Sequence, residues 1–151
     1  MSQVNYPVNF ERAFEGLLGD VNNIDSVSRL VEGAGVQFGR GVQSGTEEEQ
    51  AKAAAAGMAL ANFEGFVIHQ SVENGELLEK YAVSVLRKGR IWVKAINAML
   101  KDGEVHLELA VGADTGAVKN AAGGASIDIS SKCKVIKGAG VGELALIEIN
   151  I

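Results

Sequence analysis

Apolar and polar residues alternate in short runs along most of this chain. The cleanest run is 104–109, where Val105, Leu107 and Leu109 fall on one face and Glu104, His106 and Glu108 on the other. That pattern predicts a half-buried antiparallel strand with its histidine turned outward. Tyr81, Val83 and Val85 alternate with Ala82, Ser84 and Leu86; Arg87, Lys88 and Gly89 follow, and then the β-branched and aromatic run Ile91-Trp92-Val93. The spacing predicts a β-hairpin over 81–96, with Gly89 as a positive-φ bulge beside its basic tip. Trp92, the only tryptophan, is expected to be a buried anchor whose truncation would cost about 3 to 5 kcal/mol. Further strands are predicted over 36–42, 63–71, 126–129, 132–137 and 144–151. Turns at Asn74-Gly75, Lys101-Asp102-Gly103, Thr115-Gly116 and the glycines 138, 140 and 142 separate them.

Two stretches read differently. Thr46-Glu-Glu-Glu49 has the form of a capping box ahead of an alanine run, so one short helix is expected at 47–56, closed by Gly57. Residues 1–33 keep no sustained period: Asn5-Tyr6-Pro7 is expected to be extended, and 10–18 has helical spacing for one or two turns. A segment with Tyr6, Phe10, Phe14 and Leu17 as anchors but no alternation either packs along its own domain or reaches for a partner. The expected organisation is a single domain, with an N-terminal extended arm or segment at 1–33 and a β domain at 34–151. Short strands without helical crossovers argue for a mainly β fold, an antiparallel sandwich or closed barrel with one short helix.

Composition narrows the function classes. A chain of 151 residues buries a real core as one domain. Because aromatics make up only 5% of it, that core must be built from Val, Ile, Leu and Ala. A formal net charge of −5 disfavours a nucleic-acid surface, which needs clustered Lys and Arg. No stretch reaches the length of a membrane span, and the Met-Ser-Gln-Val start does not read as a signal peptide. Cys133 has no partner for a disulfide, and the Lys-Cys-Lys-Val alternation predicts an inward thiol between outward lysines rather than a reactive one.

The motifs that suggest chemistry fail on inspection. Gly138-Ala-Gly-Val-Gly142 has Glu143 where a dinucleotide fingerprint needs its third glycine, and Gly33-Ala-Gly35 has Phe38 there. His69 and His106 with Glu104 and Glu108 would make a metal or acid–base cluster only if their strands were neighbours, and outward alternation favours the solvated reading. No serine sits in a nucleophile elbow. The densest basic cluster, Arg87, Lys88 and Arg90, reads either as a solvated turn or as a dock for an acidic protein surface. No catalytic residue and no metal site are expected.

In order along the chain, these pieces resemble the structural cement, or capsid decoration, proteins of tailed bacteriophages. The resemblance rests on Tyr6-Pro7, then Gly16 and Gly19-Asp20, the Phe38-Gly39-Arg40-Gly41-Val42 strand, and the Arg-Lys-Gly-Arg-Ile-Trp-Val stretch at 87–93. Gly103-Glu104-Val105, Thr115-Gly116 and the C-terminal run 142–147 complete it. Gln37 stands where the family often has proline, and the alanine-rich stretch is longer than the usual connection.

The resemblance implies a jelly-roll-like β domain, with no catalytic residues and no cofactor, that binds the outside of the capsid and bridges neighbouring capsomers. The partners implied are the major capsid protein and the protein itself, as a homodimer or homotrimer. The place implied is the virion exterior, after synthesis in the bacterial host cytoplasm. Tyr6, Pro7, Phe10, Phe14, Arg87, Lys88 and Arg90 are the contact residues expected, with Gly89 and Trp92 structural. The competing expectation is a small β-barrel module of the virion that binds a ligand or receptor, for which the aromatic supply is thin.

Overall fold

The computed structural model describes residues 14–70, 77 and 80–151, with the backbone alone for 20–23. Ten strands follow one another: β1 (Leu18–Val31), β2 (Gly41–Ser44), β3 (Gln50–Ala53), β4 (Phe63–Val67), β5 (Ala82–Lys94), β6 (His106–Glu108), β7 (Val118–Lys119), β8 (Ser126–Asp128), β9 (Cys133–Lys137) and β10 (Leu144–Asn150). The one helical turn among the described residues is a 3₁₀ turn at Leu60–Asn62. Seven strands run in the order β1-β3-β2-β4-β5-β10-β9, and a further pairing of β1 with β5 closes the first five into a barrel. The remaining three, β7-β6-β8, form a small side sheet. The mainly β class expected from the alternation is therefore what the chain adopts.

Several expectations are corrected. The stretch 81–96 is no hairpin, since β5 runs unbroken through its basic residues. Val83 and Val85 point into the barrel, with Val31, Val42, Ala51 and Val67. Leu86, Ile91 and Val93 point instead into a second core, with Phe63, Phe66, Leu107, Val135 and Ile147. Val85 and Leu86, being consecutive, face opposite sides, but strict alternation cannot put Leu86 on the same side as Ile91 and Val93, so the strand changes parity once between Leu86 and Ile91. The change falls at Arg87, the extra residue between Leu86, paired with Ser26, and Lys88, paired with Asp25, next to Gly89, whose φ is +136°. There Asp20 pairs with Arg90 and Asp25 with Lys88, so that 21–24 of β1 bulge out opposite this one glycine. Gly89 thus has the positive φ expected, but in mid-strand, and the bulges lie beside it at Arg87 and opposite it on β1.

Trp92 is the second correction. It is half-buried, on the face opposite Ile91 and Val93, with the Lys137 ammonium 5.8 Å from its ring centre.

The third is the helix. Residues 50–53 are β3, parallel to β1 through Leu30–Gln50 and Val31–Ala51 and antiparallel to β2. Helix propensity is a weak preference, and Ala51 is buried as the barrel's inward residue. The capping acid for Thr46 is Glu32, which accepts from the Thr46 N–H at 2.6 Å and hydroxyl at 2.8 Å.

The N-terminal segment also reads differently. From Leu18 onward it belongs to the barrel as β1, and Phe14 to Leu17 form a turn without helix. Strands over 63–67, 126–128, 133–137 and 144–150 lie where alternation puts them. In the 36–42 stretch only the end is strand, because Phe38 and Gly39 form a turn before β2. The glycine turns at 116 and 142 have positive φ. The Asn74-Gly75 turn and Asn5-Tyr6-Pro7 lie outside the described residues.

Candidate functional site

Most of the sequence motifs, far apart in the chain, meet where the N-terminal segment enters the barrel. Gly16 donates its N–H to the Trp92 carbonyl at 2.8 Å and accepts from the His69 N–H at 2.8 Å, joining β5 to the end of β4. Both Gly16 and Gly39 have positive φ, and a Cβ on either would press into the other's backbone. Only glycine lets these two turns stack so closely. The His69 ring lies 4.5 Å from Phe14, edge-on, and 4.8 Å from Phe38.

Arg40 ties this junction together. It is 4% exposed, and its guanidinium donates to Glu15 Oε1 at 2.6 Å and to the carbonyls of Ala113 at 2.6 Å and Thr115 at 3.3 Å. An arginine suits this place because its planar fork reaches several acceptors at once. The Thr115-Gly116 turn completes the joint, with the Gly116 carbonyl accepting from Gly41 N–H at 2.8 Å. Nearby, the Lys94 ammonium, 2.7 Å from Asp114, holds that carboxyl below the ordinary aspartate range.

Of the contact residues expected from sequence, Tyr6, Pro7 and Phe10 lie outside the described residues. Phe14 lies at the root of that segment, 46% exposed despite its stacking on His69. Arg87, Lys88 and Arg90 sit in the middle of β5 rather than at a tip. Arg87 is 3.4 Å from Glu64 and Arg90 3.2 Å from Glu148, which leaves Lys88 exposed and without an ion pair among the described residues. Sequence reading named Arg40 only as part of a strand motif and gave Glu15 no role. A charged residue between glycines ahead of an apolar strand was the available signal.

Cys133 is buried as expected, and burial pushes its thiol pKa up. His106 is not outward-facing. It is 5% exposed, with Nε2 3.1 Å from Glu104 Oε1. Glu108 binds Lys119 instead, at 2.9 Å.

The fold is a β-barrel with a side sheet, entered by an anchored N-terminal segment. The family model of the phage structural cement proteins (E217 gp24/Pam3 gp6) matches residues 2–150, and the chain belongs to this family. It is a structural protein of the phage virion, associated with the capsid. A chain from the capsid of Myoviridae phage XM1 has the same fold, with a TM-score of 0.74 at 13% identity, over 92% of this chain and 91% of that one. No curated protein matches the chain.

Proposed function

We propose that this protein binds the outer surface of the phage capsid and cements neighbouring capsomers, working as a homodimer or homotrimer on the major capsid protein. The observation that carries this reading is the family match over 2–150 together with the anchored root of the N-terminal segment. Tyr6, Pro7 and Phe10 precede that root and supply apolar anchors of the kind that fill a partner's pocket. Phe14 extends the same contact on the barrel side, and Lys88, with Arg87 and Arg90 beside it, meets acidic groups on the shell. An oligomer makes its second and third contacts at high effective concentration, so weak single contacts add to firm attachment. The role calls for no nucleic acid, no membrane and no catalysis. The site of action is the virion exterior, after synthesis in the host cytoplasm.

The test is co-sedimentation with purified capsids, using the full chain and a form lacking residues 1–13, which leaves Phe14, Gly16 and β1 in place. The full chain is expected to sediment with shells and the shortened one to stay folded in solution with binding reduced at least tenfold. Full binding by the shortened form removes the N-terminal contact, and failure of the full chain to sediment overturns the cement role in favour of a soluble ligand-binding module. Light scattering that finds a monomer at virion-like concentration removes the oligomer.

A further inference from the structure

We propose that Glu104, His106 and Asp128 form a binding site for one divalent transition-metal ion of the zinc type, clipping the two strands of the side sheet together. The proposal stands apart from the capsid role. Pairing of β6 with β8 sets His106 directly opposite Asp128, and Glu104, two residues before His106 along an extended chain, returns to the same face. The ladder continues past His106, since the Val105 carbonyl accepts from Ile129 N–H at 2.9 Å. One ligand atom from each of the three side chains lies within 4.8 Å of the other two.

The geometry suits a single ion. Bonds of about 2.0 to 2.2 Å to imidazole nitrogen and carboxylate oxygen put neighbouring donors about 3.0 to 3.5 Å apart. Glu104 Oε1 and His106 Nε2 already stand 3.1 Å apart. The exposed Asp128 carboxylate, whose Oδ1 accepts from Ser130 N–H at 2.8 Å, offers its other oxygen to close the remaining gap.

Two further features support a site rather than a chance ion pair. The imidazole is nine-tenths buried, while its one partner among the described residues, Glu104, is 69% exposed at its side chain. A buried donor is thereby presented at a surface where two carboxylates can join it and water can complete the shell. Asp128 is also oriented from behind: the Ser130 hydroxyl and backbone N–H hold its carboxyl below the ordinary aspartate range. The Ser130 hydroxyl in turn accepts from Val105 N–H at 2.9 Å, so the support spans both strands. Partners of this kind fix metal-binding carboxylates.

Lys119 shares this face, opposite His106, but its ammonium is held by Glu108 at 2.9 Å and the Gly123 carbonyl at 2.7 Å. That leaves the charges of Glu104 and Asp128 for the ion. An imidazole with two carboxylates selects zinc-like ions over magnesium and calcium, which prefer all-oxygen shells.

Zinc chloride titrated into the full, chelator-stripped protein, followed by calorimetry and by thermal melting, tests the site. One ion per chain is expected, with a raised melting temperature and with magnesium at the same concentration giving neither effect. His106→Gln and Asp128→Asn should each weaken zinc at least tenfold, and Ser130→Ala by roughly tenfold as a loss of orientation. Glu148→Gln, on β10, should change nothing. Asp128 is exposed, so its amide variant keeps the fold and decides the matter alone. Zinc binding that persists unchanged in Asp128→Asn, or no saturable binding up to millimolar zinc, overturns the proposal.

Discussion

Replacing Arg40 by methionine keeps the length of the stem and removes the guanidinium, so it tests whether the N-terminal junction is held as described. The group lost makes two short charge-assisted hydrogen bonds, to Glu15 and to the Ala113 carbonyl, both 2.6 Å, and one longer bond to Thr115. Bonds of this type contribute about 1.5 to 3 kcal/mol each. The sum overstates the effect, because the Glu15 side chain is 34% exposed and regains water once its partner is gone. The two carbonyls regain less. A net loss of about 3 kcal/mol is expected, at the lower end for breaking a buried charged pair. In a domain of this size 1 kcal/mol moves Tm by about 2 to 4 °C, so Arg40→Met should melt about 6 to 12 °C lower. Arg40→Lys should recover less than half of that, since an ammonium cannot reach all three acceptors from one place. In a double-mutant cycle, Glu15→Gln should cost less alone and add little on top of Arg40→Met. A melt of Arg40→Met within about 2 °C of the parent would refute the argument.

Ile91→Ala should lose about 2 to 5 kcal/mol in chemical denaturation, and Trp92→Ala only about 1 to 2, because Ile91 is fully buried and the larger ring is not; the reverse order would contradict the assignment of faces. At pH 8 the Cys133 thiol, its pKa raised by burial, should resist iodoacetamide until the protein is denatured, and alkylation of the native protein at the rate of a free thiol would count against its placement. Asp114, through Lys94, and Asp128, through Ser130, have lowered folded-state pKa values. Such groups contribute stability that is present above their unfolded value and lost as pH falls through the folded one. Melting temperature should therefore hold from pH 7 to about 5 and fall below about 4, less steeply in Asp114→Asn; an identical acid limb in that variant would remove the Lys94 pair from the account.

Strands that bury one face throughout were legible because nothing interrupts their period. Val105, Leu107 and Leu109 are all buried, as are Cys133 and Val135, and Ala145, Ile147 and Ile149. The period fails where the chain bulges. β1 spans 14 residues, but its sequence is largely polar, and the excursion at 21–24 shifts its parity midway. A parity change in β5 has the same effect, and a strand that buries Leu86 and then Ile91 around a glycine looks like a hairpin in sequence. The alanine run at 51–56 misled for another reason: its small side chains suit close pairing between β1 and β2 as well as they suit a helix. His106 was taken as outward because alternation gives sides, not depth. Val105, His106 and Leu107 are all buried, so both faces of the side sheet have cover at that position. At the junction, the glycines and Arg40 stood out as motifs, but no sequence period tells that Gly16 meets Gly39 or that Gly116 meets Gly41.

The bulges also explain how the N-terminal root is held. β5 lies against β1 along one side, and against β4 and then β10 along the other. By changing parity it gives Val83 and Val85 to the barrel and Leu86, Ile91 and Val93 to the second core. Two glycines flank this change and cannot be exchanged, since a Cβ on Gly65 of β4 would collide with the Leu86 carbonyl and one on Gly89 would meet Ile24 at 2.9 Å. The root of the N-terminal segment bonds to this same strand, Gly16 N–H donating to the Trp92 carbonyl and Trp92 N–H to the Leu17 carbonyl at 2.9 Å. A pull on residues ahead of Phe14 is therefore taken up by backbone bonds to a strand locked in two cores. That strand cannot peel away without opening at least one of them, which is the mechanical property that the contact arm we propose requires.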